Sequence, residues 1–165
     1  MIRPAQPSDT SAVVEVAISS GLFPETEAEV VRTLLDDFFA RTRAEGHGCL
    51  VDVDGDADGG VAAGVAYFQP VAATDRTWTL LMIAVRPEQQ GQGRGSVLLR
   101  EVENQLRRQQ QRLLLVETSG VPDFALTRAF YDKAGYSAEA RVRDYYAAGD
   151  DMVLYRKDLA APSGT

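Results

Sequence analysis

Residues 78–106 constrain this chain more than any other stretch, because an apolar strand there runs into a glycine-rich turn that opens directly into a helix. Residues 78–85 read Trp-Thr-Leu-Leu-Met-Ile-Ala-Val. They are almost all apolar or β-branched and too few for an ordinary helix before Pro87, so they predict a largely buried strand. Glu88, Gln89, Gln90, Gly91, Gln92, Gly93, Arg94, Gly95 and Ser96 follow, and then Val97, Leu98, Leu99, Val102 and Leu106 recur at helical spacing among charged residues. Three glycines at alternate positions let the backbone turn tightly and leave no Cβ in the way of a ligand. The helix behind them begins with free N–H groups and the positive end of its dipole. A phosphate or pyrophosphate suits such a turn.

Three kinds of phosphate loop differ in spacing. A P-loop needs Gly-Lys followed by Ser or Thr, whereas Gly93 is followed by Arg94, Gly95 and Ser96 with no lysine. A dinucleotide-binding fingerprint counted from Gly91 needs glycine at position 96, which is Ser96, although Glu117 stands where a ribose-binding acid would sit. The third kind fits at every position. Gln90-x-x-Gly93-x-Gly95 resembles the Gln/Arg-x-x-Gly-x-Gly/Ala signature of the GNAT superfamily of N-acetyltransferases, whose loop holds acetyl-coenzyme A. Residues 129–136, Ala-Phe-Tyr-Asp-Lys-Ala-Gly-Tyr, are similar to that family's fourth-helix ending. There an aromatic residue, usually tyrosine, lies near the coenzyme sulfur before a Gly-aromatic step into the next strand. Residues 112–118 read as the strand the family has between the two motifs, so the resemblance runs over residues 77–136. It departs at Phe124, where an asparagine is common seven residues before the tyrosine.

The resemblance implies an α/β fold: a mixed, mostly antiparallel seven-stranded sheet with one splayed parallel strand pair and about four helices. It implies transfer of an acetyl group from acetyl-CoA, as co-substrate and without a metal, to a primary amine by direct attack. On that reading the backbone of Ile83, Ala84 and Val85 pairs with the pantetheine arm as an added strand would. The amides of Gly91, Gln92, Gly93, Arg94, Gly95 and Ser96 hold the pyrophosphate, with Gln90 and Phe130 also at the coenzyme. Tyr131 matches the family's tyrosine and is the expected general acid. Glu117 ends the apolar run Leu113-Leu114-Leu115-Val116, where burial would raise its pKa towards working pH, and is the candidate base. Phe23 and Glu25, in the link between the first two helices, and Thr118, Asp144 and Tyr145 are candidates for the acceptor site. A non-catalytic acyl-CoA-binding regulatory module on the same fold is the alternative. A dinucleotide-binding domain needs further strand-helix units than this chain has around its loop.

A chain of 165 residues is one ordinary domain, expected over residues 1–159 with a frayed small and polar tail at 160–165. There is no run of 18 apolar residues and no apolar leader after Met1, so a cytoplasmic protein with no membrane partner is expected. Cys49 is alone and His47 is the single histidine, which gives neither a disulfide nor a metal-ligand cluster. The net charge of −7 argues against nucleic acid and for a cationic partner, a small-molecule or peptide amine. A homodimer is compatible with this. Because coenzyme A is an anion, the acid must be spread unevenly, with Arg94 a candidate cation on the coenzyme side.

Local signals complete the outline. Ile2 and Arg3 read as a short strand, and Ser8 or Asp9 as the cap of a helix through Val13, Val14, Ala17 and Ile18 to Gly21. Thr26-x-x-Glu29 reads as a capping box for a second helix reaching Phe38 and Phe39, and Asp123 as the cap of the fourth. Residues 48–53 and 61–70 predict a hairpin, and residues 138–146 and 152–157 an antiparallel pair. The turn at 54–60 begins like a calcium loop but has Val65 where the glutamate belongs, and is read as a solvated turn.

Overall fold

The computed structural model describes residues 1–55 and 60–160. Most of the candidate calcium turn and of the C-terminal tail therefore lies outside the described residues. In chain order the elements are β1 (Ile2–Pro4), α1 (Thr10–Ser19), α2 (Ala28–Asp37), β2 (Gly48–Asp54), β3 (Val61–Pro70) and β4 (Thr77–Val85). They continue with α3 (Arg94–Arg108), β5 (Leu113–Ser119), α4 (Ala125–Lys133), β6 (Ser137–Ala147) and β7 (Asp150–Asp158). The strands form a seven-stranded sheet in the order β1-β2-β3-β4-β5-β7-β6. Strands β4 and β5 are parallel, as a strand-helix-strand crossover requires, and the other recorded pairings are antiparallel. The parallel register runs only from Thr77 opposite Leu113 to Leu80 opposite Val116, although β4 continues to Val85 and β5 to Ser119. The expected fold class is thus observed.

Two compact units make up the chain: residues 1–70 with 81–105, and residues 71–80 with the chain from Leu106 onward. In the first, the core is built from Val13, Val16 and Ala17 of α1, Val31 and Leu35 of α2, Val51 and Val53 of β2, Val65 and Tyr67 of β3, and Met82 and Ala84 of β4. A buried polar knot in it is the Tyr67 hydroxyl, which bonds His47 Nδ1 at 2.7 Å and Thr42 Oγ1 at 3.3 Å. Burial lowers the His47 pKa, which keeps the imidazole neutral at pH 7. The Cys49 thiol, opposite Tyr67 in the hairpin register, is pushed up to about 12 by burial and is chemically quiet.

Three expected helix caps are not formed. Asp9 sits at the N-cap of α1 without a side-chain cap bond, because its carboxylate instead accepts both Arg3 guanidinium nitrogens at 2.7 and 2.9 Å and the Gln6 amide. Those bonds, Arg3 first, hold its pKa below the usual value. Thr26 and Glu29 make no capping box: residues 25–27 form a 3-10 turn and α2 starts at Ala28 behind an N-cap Glu27 with no side-chain cap. Asp123 lies in the turn Pro122–Phe124, and α4 begins behind Phe124. Phe38 and Phe39 belong to a π-helical turn, Phe38–Thr42, rather than to α2.

In the second unit β5 pairs antiparallel with β7 over its full length, and β7 with β6. The Trp78 indole donates to Gln111 Oε1 at 2.9 Å, fixing the start of β4 beside the entry to β5. β6 is the edge strand and every residue of it is exposed. Its register with β7 breaks between Ala138 and Ala140 and again between Val142 and Ala147. Bulges of this kind, with the charges of Glu139, Arg141 and Arg143 along the strand, keep an open edge from pairing with another chain.

Candidate functional site

In the first unit the turn after β4 is pinned before the glycines begin. Arg86 donates its amide to Ala63 O at 2.9 Å, its Nε to Ala62 O at 2.6 Å and its Nη1 to Glu15 at 2.8 Å. This ties the end of β4 to β3 and α1. The Glu15 bond is also the main reason that the Arg86 pKa is raised. Gly64 on β3 is required by the same packing. A Cβ there would lie 3.0 Å from Ala84 O, 3.4 Å from Val85 Cγ2 and 3.5 Å from Leu98 Cδ2, so β4 and α3 can approach only a glycine.

A 3-10 turn at Pro87–Gln89 leads into an extended Gln90. Gly91 and Gly93 then take φ of +72° and +82°, the left-handed region that favours glycine. A Cβ on either would meet nothing within 4 Å, so the space beside the loop is open to a ligand. The first helical bond of α3 runs from the Val97 amide to Gly93 O at 3.0 Å. The amides of Arg94, Gly95 and Ser96 therefore precede the helix's own ladder and stand at the positive end of its dipole. The apolar stripe predicted for this helix is buried at Leu98, Leu99, Val102 and Leu106, while Val97 is exposed.

Two details differ from the sequence reading. Arg94 is not a free cation: Nη1 donates to Asp52 at 2.9 Å and Nη2 to Asp54 at 2.8 Å, and these bonds raise its pKa. The Gln90 side chain donates to Val85 O at 2.9 Å, which joins loop to strand and occupies one of the carbonyls expected to meet the pantetheine arm. Gln92 donates to Glu88 O at 3.2 Å. Ile83 and Val85 are half-buried and alternate with the buried Met82 and Ala84. Phe23 packs against the core of this unit with its amide on Ala17 O, and Glu25 is exposed in the turn before α2.

In the second unit Thr118 and Ser119 are buried at the end of β5, and Glu117 is exposed. The expectation that Glu117 is buried is therefore corrected, and the argument for a base with a burial-raised pKa goes with it. Along β5 the buried side chains are Leu114 and Val116, so parity puts Glu117 on the other face. Its charge is felt by Tyr146, whose phenol is pushed up to about 12 by desolvation first, then by Glu117, Tyr145 and Asp150. Tyr145 packs edge-on to Tyr146 at 4.9 Å between ring centroids. Asp144 has φ +54°, accepts the Gly149 amide at 2.7 Å and donates its own amide to Asp151 at 3.0 Å, so its carboxylate holds the hairpin.

Tyr131 sits on α4, whose start is tied to the end of β5 by Arg128 donating to Ser119 O at 2.8 Å and Val121 O at 2.9 Å. The helix ends at Gly135, φ +84°, which lets the Tyr136 amide return to Tyr131 O at 3.0 Å. Lys157 donates to Ala134 O at 2.7 Å over the same end. Only 3% of Tyr131 is exposed, and its ring lies 5.2, 5.6 and 5.5 Å from those of Phe130, Tyr136 and Tyr155. Burial alone raises its pKa, and among the described residues nothing hydrogen-bonds its hydroxyl. The result is a phenol that stays protonated at pH 7 and keeps its donor unspent.

Gly64, Arg86, Asp52 and Arg128 were not singled out by sequence, and Asp54 only as the first acid of the calcium-like turn. The glycine inside β3 was a usable signal of close approach. The others act through partners from 7 to 71 positions away, which no local pattern displays.

Among the described residues no His, Cys, Asp and Glu side chains are grouped to hold a metal, and no helix is long and apolar enough to cross a membrane. The profile of the acetyltransferase (GNAT) family matches residues 15–136. A proposed GNAT-family acetyltransferase from Desulfovibrio desulfuricans is 38% identical, with a TM-score of 0.90 over 97% of this chain and 99% of that one. The ribosomal-protein-S18-alanine N-acetyltransferase of Escherichia coli, 22% identical, superposes with a TM-score of 0.75 over 100% and 97%. A proposed acetyltransferase from Salmonella typhimurium, solved with its cofactor acetyl-CoA, is 20% identical and has a TM-score of 0.78 over 100% and 96%. No curated protein matches the chain. With three quarters of its length inside the family profile, a matching glycine loop and the expected sheet, this chain belongs to the GNAT family of acetyltransferases.

Proposed function

We propose that this enzyme transfers an acetyl group from acetyl-CoA to a primary amine of a small cationic molecule or peptide, by direct attack on the thioester. The observation that carries the reading is the loop: two left-handed glycines with open space beside them, followed by three helix-start amides suited to a pyrophosphate. The S. typhimurium neighbour was solved with acetyl-CoA, and the E. coli neighbour is named for an alanine of a ribosomal protein. Both are consistent with this chemistry. The test has two steps. Native mass spectrometry of the purified protein should show a 1:1 complex with added coenzyme A, and thiol release from acetyl-CoA should accelerate with amines that carry a second positive charge. A chain that binds no coenzyme A cannot have this function.

An amine with pKa about 10.4 is neutral only about one part in 2,500 at pH 7, a deficit of roughly 4.6 kcal/mol, so its proton needs an acceptor. We assign that role to Glu117, which is exposed and can hand the proton to water, and whose carboxylate, like that of Asp150, acts on the Tyr146 phenol. Glu117→Gln should lower kcat/KM for the amine at least about tenfold at pH 7, and the deficit should shrink as pH approaches 10 and the free amine becomes neutral unaided. A variant whose deficit is the same at both pH values would leave deprotonation to water or to another group.

A further inference from the structure

Besides the Gln90 and Gln92 bonds to Val85 O and Glu88 O, the glycine loop is anchored at its two ends. Gln89 stands just before it and Arg94 just after, and one carboxylate joins the two. Asp54 Oδ2 accepts Gln89 Nε2 at 2.9 Å, and Asp54 Oδ1 accepts Arg94 Nη2 at 2.8 Å. The second Arg94 nitrogen is taken by Asp52, a buried carboxylate whose other oxygen meets the Met1 amino group at 3.3 Å. Between the anchors, ideal Cβ atoms on Gly91 and Gly93 would find nothing within 4 Å, so the middle of the loop has no packing there to define it. The Gln89 carbonyl oxygen is buried without a partner. Turning the amide round would point that oxygen at the Asp54 carboxylate, so the donor bond to Asp54 fixes the orientation.

Electrostatics alone makes this arrangement odd in an anion-binding loop. Two carboxylates on one guanidinium cancel the attraction Arg94 would otherwise offer a phosphate. What the cluster supplies is geometry. We propose that Asp54 is a positioning residue for the coenzyme: a staple that closes the loop through Gln89 and Arg94 and so sets coenzyme affinity without touching the coenzyme. This rests on the acetyl-CoA reading above.

Two accounts of Asp54 predict opposite signs. If Arg94 binds phosphate and the carboxylates merely compete for it, removing Asp54 frees a cation, removes a negative charge and tightens coenzyme binding. If Asp54 is a staple, removing it loosens the loop and weakens binding, because ordering the loop must then be done by the ligand. The experiment is calorimetric titration of coenzyme A into wild type, Asp54→Ala and Asp54→Asn, with kcat and the KM for acetyl-CoA measured alongside. The staple predicts a Kd and KM raised about tenfold in Asp54→Ala and less in Asp54→Asn, which keeps one acceptor oxygen, with kcat at saturation unchanged. Gln89→Leu should add little in the Asp54→Ala background, since both remove the Gln89–Asp54 bond. Should Asp54→Ala fold poorly, Asp54→Asn and Gln89→Leu test the same bond from each side. Wild type that binds coenzyme while Asp54→Ala and Asp54→Asn bind equally well or better overturns the staple alone. Wild type that binds no coenzyme A overturns the acetyl-CoA reading and the staple with it.

Discussion

Gly93→Val should lose at least about tenfold in affinity for coenzyme A, and most of that loss should occur without unfolding. Gly93 has φ +82°, and a β-branched residue held there carries strain of about 1–3 kcal/mol, equivalent to roughly a factor of 5 to 150 in an equilibrium constant. The chain can escape the strain only by rotating the peptide whose carbonyl accepts the first helical bond, from Val97 at 3.0 Å. Either response moves the three amides of Arg94, Gly95 and Ser96 away from the geometry the loop gives them. A second effect acts in the same direction. The space a Cβ would enter is empty of protein, which keeps the fold tolerant of the change and puts the new side chain where a pyrophosphate would approach. Gln92→Ala is the control. It removes a 3.2 Å bond to Glu88 O and should change affinity by less than about twofold, because in the proposed site backbone amides, not this side chain, meet the pyrophosphate. Titration calorimetry separates the two outcomes, and near-equal affinities for Gly93→Val and wild type would remove the loop from the coenzyme site.

The glycine loop was legible because its conformation is set locally. Gly91, Gly93 and Gly135 all take the positive φ that glycine alone adopts without strain, and each lies where the sequence changes from one element to the next. The parallel β4–β5 pair followed from the same logic, since a strand, one helix and a strand in series leave little choice of topology. Side-chain partners were not legible in this way. Asp9, Thr26 and Asp123 all have the residue type and position of helix caps. Asp9 went instead to Arg3, six positions away, because a bidentate guanidinium bond is stronger than a bond to one amide. Arg94 looked like a cation waiting for phosphate because Asp52 and Asp54 are more than 40 positions distant in one case and 40 in the other. Glu117 was misread for a different reason. The run of four apolar residues before it suggested a strand buried on both faces. In fact Leu114 and Val116 are buried and Leu113 and Leu115 only half so, an alternation that carries Glu117 to the exposed side.

Tyr131→Phe should lower turnover at least about tenfold while leaving the affinity for acetyl-CoA within about twofold and the fold as stable as before. On the direct attack proposed above, collapse of the tetrahedral intermediate would release coenzyme A as a thiolate of pKa near 8.5 in water, and in a dry site that charge would be poorly solvated. A phenol can donate to it. Tyr131 is suited to this by what surrounds it: the ring is fixed against Phe130, Tyr136 and Tyr155, and among the described residues the hydroxyl has no competing bond. Burial raises its pKa above the ordinary 10, so the phenol is a weaker acid than in water. The same desolvation raises the basicity of the leaving thiolate, and a hydrogen bond stabilises the developing charge even where the proton is not fully transferred. The raised pKa also fixes the sign of the pH response. The folded state holds the Tyr131 proton more tightly than the unfolded chain, so this contribution to stability is complete below pH 10 and is lost only as pH rises through the folded pKa. Turnover should therefore show no loss from Tyr131 ionisation up to pH 10. Phe keeps the ring packing against Phe130, Tyr136 and Tyr155 and removes only the hydroxyl, so the melting temperature should hold. A residue that serves only to pack α4 against the sheet would give the opposite pattern, with turnover unchanged in Tyr131→Phe when chemistry limits the rate and a loss only in Tyr131→Ala.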